Sequence, residues 1–76
     1  MSLEKINELI NNFCNYTSFH INDIRIILIV YDDLQLYTIE LEVNNKLFHI
    51  LHDNRNHIHN YYIYNRDSKF IPFKII

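Results

Sequence analysis

The chain contains no glycine and no tryptophan, a single proline (Pro72), a single cysteine (Cys14) and no long apolar run. Each absence excludes something. Phosphate-cradling loops, nucleophile elbows and dinucleotide fingerprints use glycine where backbone meets ligand or φ turns positive, so none is expected in its usual form. A lone cysteine cannot form an internal disulfide and carries no sign of an oxidising compartment. No stretch approaches the ~18 apolar residues of a membrane-spanning helix, and residues 1–15 are amphipathic, unlike the uniformly apolar core of a signal peptide.

What is present is a 76-residue chain of formal net charge −2, rich in isoleucine, asparagine and tyrosine. The length accommodates one domain, residues 1–76. A domain of this size buries roughly 60% of its unfolded surface and often leans on a partner for stability. Ile, Asn, Lys and Tyr are favoured by AT-rich codons, so asparagines and tyrosines are discounted before being read as a binding surface. The cytoplasm is the expected location, that of a host cell if the source is viral.

The rhythm changes once along the chain. Ser2 is placed to cap a helix in which Leu3, Ile6, Ile10, Phe13 and Cys14 recur at helical spacing, with an end near Asn15. From Ile21 the pattern becomes strand-like. Ile24 to Tyr31 is almost continuously apolar and β-branched, which predicts a central strand covered on both faces. Tyr37, Ile39, Leu41 and Val43 alternate with polar residues as a half-buried strand does, and Asn44-Asn45 suits a two-residue hairpin turn. Lys46 to His52, His57 to Tyr64 and Lys69 to Ile75 complete the strands, separated by turns at residues 53–56 and 65–68. Pro72 assigns the last strand to an edge. The predicted fold class is α+β: an N-terminal helix packed on a four- to five-stranded antiparallel β-meander.

Four constellations bear on chemistry. If the turn at 53–56 pairs His52 with His57, then His52, His57 and His59 share one sheet face, while His49 points to the other; three imidazoles on a face are weak candidates for a metal. No metal ligand set is assigned, and no cofactor is implied. Cys14 lies at the C-terminal end of its helix, where the dipole disfavours a thiolate, and reads as core packing. Glu40 and Glu42 share a strand face without a third polar partner, so no catalytic residue is assigned.

The fourth constellation is charge asymmetry. The N-terminal half carries Asp32, Asp33, Glu40 and Glu42, a candidate acidic surface for a partner. The C-terminal half carries Lys46, Arg55, His57, His59, Tyr62 and Arg66, with Tyr61, Tyr64, Phe70 and Phe73 interleaved, a candidate basic aromatic surface for a partner or a nucleic acid. The apolar surplus of Ile24–Tyr31, with only one helix available as cover, points either to a curled sheet or to a covering second chain.

The expected function is a small non-enzymatic protein-binding module, an inhibitor of a larger protein or nucleoprotein effector. In size, style and helix-then-sheet order the chain resembles the small anti-defence proteins of phage and mobile elements, anti-CRISPR inhibitors among them; no motif carries that resemblance to individual residues. The alternatives are an RNA- or DNA-associated module using the basic aromatic half, and an antitoxin- or immunity-like partner. A homodimer fits the apolar surplus, and no membrane association is expected.

Overall fold

The computed structural model describes residues 2–65, 67 and 69–75. A helix α1 (Leu3–Thr17) leads through a single 3-10 turn (Ile21–Asp23) into five strands, β1 (Arg25–Tyr31), β2 (Leu36–Val43), β3 (Lys46–Asp53), β4 (Ile58–Tyr64) and β5 (Phe70–Pro72). Every strand pairs antiparallel with its neighbour in sequence, so the sheet order is β1-β2-β3-β4-β5. The expected α+β arrangement of helix and antiparallel meander is the arrangement found.

Helix α1 starts where expected, with the Ser2 hydroxyl accepting the Lys5 N–H at 3.2 Å. It runs two residues past Asn15. Thr17 turns its hydroxyl back onto the Phe13 carbonyl at 2.8 Å, and Ser18, not Asn15, takes the left-handed conformation that ends the helix. Ile6, Leu9, Ile10 and Phe13 are buried, whereas Leu3 is 73% exposed and contributes nothing to the stripe.

The buried stripe of α1 packs on the alternate residues Tyr37, Ile39, Leu41 and Val43 of β2 and Phe48 and Ile50 of β3. Aromatic contacts knit the centre: Phe13 meets Phe48 at 5.4 Å and Tyr61 at 5.2 Å between ring centroids, and Phe48 meets Phe73 at 5.1 Å. At the C-terminal end the Ile75 N–H donates to the Tyr16 hydroxyl at 2.8 Å, tying the segment after β5 to the helix.

Three expectations are corrected. Residues 21–23 form a 3-10 turn rather than strand. Strand β5 is only three residues long, ending at Pro72, whose missing N–H falls on the free edge while the Phe73 N–H still donates to the Tyr61 carbonyl at 2.9 Å. The largest difference concerns β1: it is an edge strand, not a central one, and Ile26, Ile27, Leu28 and Val30 are exposed. The meander simply places the first strand outermost, and the one helix lies over β2 and β3. Strand β1 also carries an irregularity: Ile26 pairs with Leu41 and Leu28 with Glu40, which leaves Ile27 as the extra residue of a β-bulge.

Candidate functional site

The sheet has an inner face, under α1, and an outer face without a second layer among the described residues. Because side chains alternate along each strand, the register assigns every candidate residue to one or the other.

On the inner face lie His52 and His59, directly opposite each other in the β3–β4 pair. Their Nδ1 atoms are 3.3 Å apart, a distance at which one imidazole donates to the other. Both Nε2 atoms are buried without a partner among the described residues. His59 also meets the Tyr61 ring edge-on at 4.6 Å, and Tyr37 lies 6.2 Å from the His52 ring. Burial pushes the His59 imidazole below the ordinary histidine range, with His52 and Lys5 adding to the shift. Burial therefore favours the neutral form of the His59 ring.

His57 is not part of that face. The turn uses residues 54–57, with Asp53 opposite Ile58, so His57 sits exposed in the loop at φ 55°. Asp53 sets that turn: its Oδ1 accepts the N–H groups of Arg55 and Asn56, and its Oδ2 accepts the Asn56 amide at 2.7 Å. These bonds hold the Asp53 carboxyl below the usual carboxylate range, the Asn56 side-chain bond contributing most. The expected trio of His52, His57 and His59 is thus reduced to two. Among the described residues no three His, Cys, Asp or Glu side chains gather as a metal would require.

The outer face is organised in rows across the sheet. One row runs Leu28, Glu40, His49, Tyr62 and Pro72. In it, His49 Nε2 lies 3.3 Å from Glu40 Oε1, and Phe70 stacks flat on the His49 ring with centroids 3.5 Å apart and planes 12° from parallel. Tyr64 packs edge-on to Phe70 at 5.2 Å. Leu47 and Leu51 project from β3 on the same side, half-buried. At one end Arg25 Nε pairs with Glu42 at 3.3 Å. The result is a mixed surface in which aromatic and apolar side chains surround the Glu40–His49 pair, with Thr38 and Asn60 in the adjacent row beside Leu51.

The structure therefore redistributes both candidate surfaces. Glu40 and Glu42 share the outer face, but each faces a cation or imidazole. Asp32 and Asp33 lie in the β1–β2 turn, where Asp32 Oδ1 accepts from Leu34 and Leu36. Of the basic set, Lys46 begins β3 at one end of the sheet, while Arg55 and His57 occupy the β3–β4 turn at the other. His59 is on the inner face, Tyr62 is on the outer, and Arg66 lies outside the described residues. Of the aromatics, Tyr61 and Phe73 turn inward to the core, leaving Tyr62, Tyr64 and Phe70 on the outer face.

The Glu40–His49 pair is implicit in the hairpin turn. Once Asn44-Asn45 is the turn, with Val43 opposite Lys46, counting back places Glu40 opposite His49. The Phe70 stack had no comparable signal, because it depends on the twist that brings β5 across. Cys14 is partly buried against the core, and burial raises its thiol pKa, as core packing implies. Clefts lie along the margins of α1, one lined by Ile10, Ile21, Ile24 and Ile26, another by Tyr16, His59, Tyr61 and Phe73. Neither includes the Glu40–His49 pair. Comparison with protein families, with curated proteins and with solved structures gives no match.

Proposed function

We propose that this chain is a protein-binding module with no chemistry of its own, which acts by covering a working surface of a larger protein. Inhibition of an effector is the form of that activity we favour; an antitoxin or immunity protein would work by the same physics on a different target. The observation that carries the reading is the outer sheet face. It combines Tyr62, Tyr64 and Phe70 with Leu47 and Leu51 around the hydrogen-bonded Glu40–His49 pair, the mixture of aromatic anchors and sparse polar groups typical of interface centres.

Two further observations support it. The His49 ring is already occupied by Glu40 on its edge and Phe70 on its plane, and His49 itself lines neither of the clefts beside α1. A base that feeds no reacting group is better read as a fixed polar contact. The nucleic-acid reading has less to draw on, since Lys46 and Arg55 stand at opposite ends of the sheet and Tyr61 and Phe73 are turned inward.

The test compares the chain with a His49→Ala/Tyr62→Ala variant of unchanged circular dichroism. Stoichiometric capture of one host protein by the unaltered chain, lost in the variant, supports the reading. Equal capture by both moves the contact off this face. Polynucleotide binding that weakens steeply with salt replaces the proposal with the nucleic-acid one.

A further inference from the structure

The two edges of the sheet are unlike. Strand β5 is three residues long and contains Pro72, which leaves little ladder to extend. Strand β1 is seven residues long, RIILIVY, with no proline and no lysine. Exposed, apolar and unpaired edges of this kind invite another strand. The question is whose.

The edge strand is complementary to itself. The Asp32 N–H donates to the Leu36 carbonyl at 3.2 Å, so Asp32 points its backbone groups at β2. Alternation then turns the backbone groups of Val30 and Leu28 towards β2 and those of Tyr31 and Ile29 outward to the free edge. A two-fold axis through Ile29, perpendicular to the sheet, would set Ile29 against the partner's Ile29 as a hydrogen-bonded pair exchanging both bonds.

The bulge makes the rest of the register work. Counted from Ile29, Leu28 falls opposite the partner's Val30, both on the outer face. Because Ile27 is the extra residue, Ile26 and not Ile27 takes the next inward position, opposite the partner's Tyr31. Arg25 then falls on the outer face opposite the partner's Asp32. Its guanidinium engages Glu42 through Nε, and Asp32 uses Oδ1 for the turn, so Nη groups and Oδ2 remain to meet across the axis.

Moving the axis by one residue destroys the match. Centred on Leu28, it sets Val30 against the partner's Arg25; centred on Val30, it sets Leu28 against the partner's Asp32. Only the axis through Ile29 pairs apolar with apolar and cation with anion, twice by symmetry.

We infer that β1 is a homodimerisation edge: two copies join antiparallel through Ile29, with Arg25 and Asp32 closing both ends, into one continuous sheet. The axis keeps both outer faces on the same side and so doubles the width of that surface. The contact is independent of the partner-binding reading, and its test does not involve the host protein.

Sedimentation velocity of the full chain across micromolar to millimolar concentration is the test. The unaltered chain should shift from one chain mass to two; a monomer throughout overturns the inference. Arg25→Glu should weaken association about tenfold or more, since it sets like charges opposite each other at both ends. Adding Asp32→Lys to Arg25→Glu should restore it, and failure to recover overturns the register. Because Asp32 also shapes its turn, Leu28→Lys serves as a second variant: circular dichroism should be unchanged and the dimer lost, and a dimer that persists overturns the pairing.

Discussion

Strands β1 and β2 lie side by side and are built from similar residues, yet they have opposite fates. In β2 every second side chain is sealed in the core, Leu41 being 0% exposed; in β1, Leu28 is 50% exposed and only Ile29 and Tyr31 are partly covered. The difference teaches that alternation and apolarity carry different information. Alternation in β2 reports which face is dry, because the polar residues mark the wet one. Uniform apolarity in β1 reports only that cover is wanted, not that this chain provides it. On the homodimer inference, the apolar surplus of β1 is the surface that a second copy covers.

The sharpest break of that comparison is the same mutation in both strands. Leu41→Ala should cost about 2–5 kcal/mol in denaturant unfolding, because it opens a cavity beneath α1. Next comes the turn that holds β2 against β3. Asn45 has φ 64°, so Asn45→Val should cost about 1–2 kcal/mol and loosen the pairing of Glu40 with His49. The helix that covers β2 can be weakened at its cap, where Ser2→Ala should cost about 1 kcal/mol by calorimetry.

The inner face also predicts a pH dependence. The His59 pKa is depressed on folding, so the folded state binds fewer protons than the unfolded one across the affected range. Stability is fully present above the ordinary histidine pKa of about 6.5 and is lost as pH falls through the folded value. The melting temperature should therefore decline below about pH 6.5, less steeply in His59→Phe. An identical decline in both proteins would remove His59 as the cause. The smallest effect closes the comparison: Leu28→Ala in dilute solution should change stability by no more than about 0.5 kcal/mol, because water already reaches that side chain.

Much of this architecture is legible in the sequence alone. The helical stripe from Ile6 to Phe13, the alternation of β2 and the Asn44-Asn45 turn each state their geometry locally, and together they determine the centre of the sheet. What was not legible depended on distant residues. Nothing within Ile24–Tyr31 says how many strands will lie beyond it, so its position at the edge emerges only from the complete meander. The histidine register failed for a local reason: four loop residues, with His57 at positive φ, were needed where the sequence suggested a turn one residue earlier. At the site, Glu40 and His49 followed from the turn, whereas the Phe70 stack and the bulge at Ile27 arise from sheet twist that no period of two encodes.

Ser18, Gln35, Asn44, Asn45 and His57 all occupy the left-handed region without the freedom of glycine. Each carries an energetic cost in the native state, least for the asparagines. The counterpart lies in the denatured ensemble. A chain without glycine wanders through fewer backbone conformations, and so surrenders less disorder when it folds. For this molecule, tension at the bends is offset by stiffness before folding begins.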